Sequence, residues 1–273
     1  MADNGNPALP GSVRLFSGAV IIVLLMGAGL FFVPDLVKAR WPWSLTPFNA
    51  RFLGGFYLAE MVAMVALLIW NRWSPGRLIL VMALVFTGVV SFVSLLQLHQ
   101  FDPVRKSTWI WFIVYIGSAL VSFWFLRQRN HLPPPAPAVS GFGWQRYFWI
   151  ETVLFMIYGL GLIGLPSLFA GFWPWPIDAF HAQVYSAIFI TAGAGNQLLA
   201  SRGAPREELV AFGAAQLALG LLAIAGLAIT DAAVHRVDWS AGGTWLWLAM
   251  FASIALTGAV KFGAGLRKGA RGA

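Results

Sequence analysis

Eight stretches of about twenty apolar residues follow one another along the 273-residue chain, at about 15–36, 47–70, 78–98, 108–126, 147–169, 179–200, 209–230 and 243–260. A helix needs roughly 20 predominantly apolar residues to cross hydrocarbon about 30 Å thick. Stretches such as 78–101 and 209–230 hold no charged residue at all. A closed β-barrel, the other structure that spans lipid, would read as short alternating strands, and these runs are continuous. The expectation is an all-α integral membrane protein with eight transmembrane helices. Charged residues make up 10% of the chain, against about 25% in a soluble domain, which excludes a water-soluble or disordered protein. The absence of cysteine excludes disulfides, zinc–thiolate sites, iron–sulfur clusters and a cysteine nucleophile.

The net charge of +8 resembles a nucleic-acid signal until its distribution is followed. With the N-terminus inside, the inner connections and tails hold 12 Lys and Arg and the outer ones hold 6. That bias places both termini in the cytoplasm and assigns the positive charge to topology, with no nucleic-acid partner. The first run is longer than a signal-peptide core and no small-x-small cleavage site follows it, so it is expected to stay in the fold.

Internal similarity reinforces that reading. Shifted by 132, residues 14–50 match 146–182 at 12 of 37 positions, among them Arg14/Arg146, Gly27/Gly159, Gly29/Gly161, Pro34/Pro166 and Phe48/Phe180. Arg72-x-x-Pro75 recurs as Arg202-x-x-Pro205, and Thr108-Trp109-Ile110-Trp111 as Thr244-Trp245-Leu246-Trp247. Residues 1–126 and 146–273 therefore read as two four-helix repeats, joined by a Pro-rich cytoplasmic linker at 127–145. Four is even, so both halves enter the membrane in the same direction, which makes the repeats parallel.

The most recognisable repeated element is Trp41-Pro42-Trp43, with Trp173-Pro174-Trp175 in the second half. Paired glycines before it suit close helix packing. The tryptophans themselves are expected at the outer water–lipid boundary, where indoles are favoured. A Trp-lined groove for a lipid tail, quinone or pigment is the functional alternative. Thr46-Pro47 and Asp178-Ala179 then start the next helix of each half with a capping side chain. Trp-Pro-Trp-x-Leu45-Thr46-Pro47 resembles an element of small, uncharacterised bacterial polytopic membrane proteins. That resemblance implies a multi-span protein of the bacterial cytoplasmic membrane and carries no activity; the second copy departs from it at Pro176-Ile177-Asp178. Gly159-Leu-Gly161-Leu-Ile-Gly164 satisfies a dinucleotide-binding spacing, but it lies inside a spanning helix where no strand precedes it.

Polar residues within lipid are the default functional candidates. Glu60 sits mid-span opposite Ala192 of the second half. Glu151, Asn196, Gln197 and Gln216 share roughly one inner-leaflet depth with Lys261. They form either hydrogen-bonded contacts between helices, with Glu60 protonated or bonded to a neighbour, or a site for a small polar ligand or proton. His99, His181 and His235 fall at outer helix ends and His131 in the linker. The three outer histidines are weak candidates for a metal, their spacing forms no ligand pair, and no metal is expected. No Ser–His–Asp set shares one depth.

Three functions remain open. A non-catalytic accessory subunit would pack with other membrane proteins, lipids or an apolar cofactor such as a quinone or pigment. A transporter or channel would place its site between the repeats. An enzyme acting on lipid would need paired acids or histidines at one interface, and Asp35, Asp102, His99 and His235 are scattered.

Overall fold

The computed structural model describes residues 5–129, 132 and 135–267. Among them are ten α-helices: α1 (Gly11–Phe32), α2 (Pro34–Lys38), α3 (Pro47–Trp70), α4 (Trp73–Leu96), α5 (Lys106–Arg129), α6 (Phe142–Gly164), α7 (Pro166–Phe169), α8 (Ala179–Arg202), α9 (Arg206–Val234) and α10 (Gly242–Leu266). The described residues hold no strand, only two isolated bridges. Each of the eight long helices has at least 22 residues, or about 33 Å at 1.5 Å per residue.

Local chemistry sets the helix ends. Thr46 accepts from the Asn49 backbone N–H, with Pro47 at the first helical position of α3, and Asp178 accepts from the His181 N–H at the start of α8. Asn71 and His235 end α3 and α9 in the left-handed conformation. The first and fifth runs, expected as single helices, each break before a proline. Val33 (φ −133°, ψ 57°) and Leu165 (φ −135°, ψ 58°) adopt nearly the same non-helical conformation. Proline lacks the N–H that would continue the ladder and disfavours helical geometry in the residue before it. α2 and α7 are the short helices that follow.

Seven of the long helices are long and apolar enough to cross a membrane. α8 equals them in length but carries His181, Gln183, Asn196 and Gln197. Its position explains that polarity. Seventeen of its 24 residues are buried, against four of 24 in α5. A helix surrounded by protein can carry polar side chains on any face where they find partners, whereas one bordering lipid must be apolar on its lipid-facing side.

The packing crosses between the halves. Within the first half, α1 packs on α3 and α4 on α5; within the second, α6 packs on α8 and α9 on α10. The larger remaining contacts join the halves: α3 lies on α9 and α8 lies on α4. The second helix of each half is thus sandwiched between its own first helix and the third helix of the other half. Small residues permit these approaches. A Cβ on Gly54 would lie 2.3 Å from the Phe31 backbone N, and one on Gly258 would lie 2.4 Å from that of Leu217.

A second matched device precedes each half. Residues 7–9 run beside the α3–α4 turn, where Leu9 N–H donates to Asn71 O (3.1 Å) and Trp73 N–H to Pro7 O (2.8 Å). Ala138 N–H donates to Ala204 O (2.9 Å) beside the α8–α9 turn. Pro7-Ala8-Leu9 and Pro137-Ala138-Val139 each run beside the turn after the second long helix of their half, with Ala8 bridged to Arg72 and Val139 to Ala204. The linker expected at 127–145 is therefore α5 as far as Arg129, this strap, and the start of α6 at Phe142.

Candidate functional site

The Trp-Pro-Trp tryptophans turn inward. Trp43, Trp173 and Trp175 are buried and Trp41 is half-buried, so they pack protein against protein and do not form a lipid-facing girdle. Trp43 Nε1–H donates to His181 Nε2 (3.1 Å), and Trp175 Nε1–H donates to Asn49 Oδ1 (2.9 Å). His181 and Asn49 stand 132 positions apart, as Trp175 and Trp43 do, so each half gives the other the same bond. Ring contacts repeat too: Trp43 meets Phe180 (5.1 Å) and Trp111 (4.6 Å), while Trp175 meets Phe48 (5.4 Å) and Trp247 (5.5 Å). Asp178 Oδ2 lies 2.6 Å from His181 Nδ1. The Trp43 indole can only donate, so Nε2 accepts from it and Nδ1–H donates to Asp178. Burial alone would raise the Asp178 carboxyl, but its bonds with the His181 side chain and backbone outweigh that and hold it below the usual carboxylate range.

Deeper in the second half, Lys261 is fully buried and its Nζ donates to Glu151 Oε2 and to Gln216 Oε1, the latter at 2.7 Å. The Tyr147 and Phe212 rings each lie 5.2 Å from that ammonium. Tyr147 also donates its hydroxyl to Thr257 O (3.3 Å). Long polar side chains thus bridge α6 and α10, with α9 joining through Gln216. A lone buried charge would be costly, and here the cation has a carboxylate, an amide oxygen and two aromatic faces.

The equivalent space in the first half is hollow. A cavity of about 300 Å³ lies among α1, α3, α4 and α5, closed on the far side by α8 and α9. Ala19 stands where the second half has Glu151, and Phe125 where it has Lys261. Most of the lining is apolar, including Phe56, Met64, Met82 and Phe86. Val23 on α1 and Ile113 on α5 line the cavity and are also 36% and 71% exposed. They mark a mouth that opens sideways between those two helices, toward the lipid expected around α1 and α5.

The cavity's polar groups are few. Glu60 is one, and Tyr57 and Tyr115 share a hydroxyl–hydroxyl bond of 2.7 Å. Thr191 and Gln216 complete the set that matters here: both are buried, and Thr191 Oγ1 and Gln216 Nε2 have no hydrogen-bond partner. Gln216 is shared between the cavity and the Lys261 network.

Of the residues singled out by sequence, the structure joins Glu151 and Gln216 through Lys261, and places Glu60 and Gln216 on one cavity. Asn196 bonds only within its own helix, to Ala192 O (3.0 Å), and Gln197 is exposed. His181 belongs to the cross-half tryptophan contact. His99 pairs with neighbouring Gln100 and His235 is an exposed helix end. His131 lies outside the described residues. Among the described residues, no group of three or more His, Asp or Glu is placed to hold a metal ion. Tyr57, Tyr115 and Thr191 were not singled out by sequence.

Compared with known proteins, the chain matches no protein-family model, no curated protein and no solved structure.

Proposed function

We propose that this chain is a non-catalytic protein of the bacterial cytoplasmic membrane that takes an apolar molecule from the bilayer into its first-half cavity. It would do so as an accessory subunit holding a lipid, quinone or pigment beside other membrane proteins. The observation that carries this reading is the cavity itself. Its volume of about 300 Å³, apolar walls and few polar groups match the general character of small-molecule sites, and its mouth faces sideways between α1 and α5.

The wider architecture in this reading is eight spans in two parallel repeats with both termini cytoplasmic. α8 supplies the eighth span, sheltered from lipid by its neighbours. The reciprocal Trp43–His181 and Trp175–Asn49 bonds and the crossed packing of α3 on α9 and α8 on α4 support the duplication. The excess of Lys and Arg in alternate connections supports the orientation.

Transport is the second reading, favoured by one observation: the cavity is walled by helices of both halves and contains Glu60. Purification from native membranes, with an absorption spectrum and mass spectrometry of the extracted small molecules, tests the choice. A stoichiometric apolar species or a chromophore supports the holding role. A protein free of bound molecules whose Glu60→Gln variant abolishes solute uptake into vesicles supports transport.

A further inference from the structure

The hollow in the first half has an asymmetric hydrogen-bonding character. Lysine has no acceptor, so the Gln216 amide must turn its oxygen toward Lys261, as the 2.7 Å contact shows. That fixes the amide orientation on chemical grounds and leaves both Nε2 hydrogens without a partner on a side chain only 3% exposed. Thr191 adds a second unpartnered buried group, its hydroxyl. Tyr57 and Tyr115 contribute two hydroxyl hydrogens to the single bond they share, which leaves one over. Thr87 is already committed to its own helix through Ala83 O (2.6 Å). A buried donor left unmade costs about 1–3 kcal/mol; three sources of spare donors line one cavity, and the Glu60 carboxyl in the same lining accepts from neither Gln216 Nε2 nor Thr191 Oγ1.

We propose that the cavity's occupant is an apolar molecule carrying a hydrogen-bond-accepting carbonyl, which takes its bond from Gln216 with Thr191 and the tyrosine pair beside it. Lys261 acts as a positioning residue, holding the amide so that its N–H groups are the ones presented. The size is compatible. A cavity of about 150 Å³ holds a benzene ring, so about 300 Å³ takes a head of one substituted or two fused rings, with any tail leaving past Val23 and Ile113. The inference rests on the proposed reading that the cavity binds an apolar molecule.

Two chemicals of similar shape separate the two ideas: a decyl-substituted benzoquinone, which carries carbonyls, and decylbenzene, which carries none. Each is titrated into the detergent-purified protein, and bound stoichiometry is read by native mass spectrometry. The wild type binds the quinone more tightly than decylbenzene. Gln216→Met weakens the quinone by about tenfold, the equivalent of one buried hydrogen bond, and leaves decylbenzene unchanged. If Gln216→Met does not fold, Thr191→Val makes the same comparison without a change of shape. Equal binding of the two chemicals, with neither substitution altering the quinone, overturns the carbonyl inference while the apolar cavity stands. Binding of neither chemical by a folded protein overturns both.

Discussion

Replacing Lys261 by Met tests how the second half closes the space that the first half leaves open. The ammonium is fully buried and holds two hydrogen bonds and two aromatic faces. Removing it leaves the Glu151 carboxylate buried without its cation, a loss of about 3–5 kcal/mol for a broken buried pair. For a chain of this order of size, about 2–4 °C per kcal/mol makes that a fall of roughly 6–20 °C in the unfolding midpoint. The double variant Glu151→Leu/Lys261→Met removes both charges, and apolar replacement of a buried pair is often neutral. Its remaining deficit is that of Gln216 Oε1 without a donor, about 1–3 kcal/mol. Thermal unfolding in one detergent, followed by circular dichroism, measures all three proteins. A single variant that loses less than about 1 kcal/mol, or a double variant no more stable than the single, refutes the argument that this pair binds α6 to α10.

Other outcomes follow from the geometry. Trp43→Phe and Trp175→Phe each remove one indole bond between the halves and are expected to cost similar amounts, about 0.5–1.5 kcal/mol of hydrogen bonding beyond the lost ring area. Strongly unequal midpoints would contradict the matched roles. Gly54→Ala places a Cβ against the α1 backbone and is expected to destabilise by about 1–3 kcal/mol, whereas Gly88→Ala, with open space around it, is not. Asp178 is held below its ordinary carboxylate range, so its contribution is present above the unfolded-state value, about 3.9, and fades as pH falls through the folded one. A plot of unfolding midpoint against pH should steepen at the acid end and lose part of that slope in Asp178→Asn.

Much of the architecture was legible in the sequence because lipid imposes a strong rule: a spanning helix must satisfy its own backbone and show apolar side chains outward. The duplicated motifs and the Thr46 and Asp178 caps were readable for similar local reasons. Position along a helix also sets height, so the sequence groups Glu151, Asn196, Gln197, Gln216 and Lys261 at one level, and three of them, Glu151, Gln216 and Lys261, are in contact. Azimuth was not legible. Asn196 and Gln197 differ by one position, about 100° around the helix, and one is buried while the other is exposed. The tryptophans show the same gap, because an indole at an outer helix end suits lipid or protein equally by composition. Tyr57, Tyr115 and Thr191 gave no signal, since aromatic and hydroxyl residues are ordinary inside a bundle. Their significance depends on a hollow produced by small or apolar residues such as Ala19, opposite larger polar ones in the other half. The strap at 7–9 and 137–139 did leave a trace, the shared Pro-Ala pair followed by Leu9 or Val139, too short to stand out without the backbone pairing.

Filling the first-half cavity tests most directly whether it holds an apolar molecule. Ala63 lines the cavity and is buried, so Ala63→Phe puts a ring into the space that the molecule would occupy. Native mass spectrometry of wild-type and Ala63→Phe protein, purified identically from the same membranes, is the decisive comparison. One apolar molecule is expected per wild-type chain and none in a variant of unchanged helical content. A wild type that carries nothing, or a variant that retains the same molecule at the same stoichiometry, contradicts that expectation.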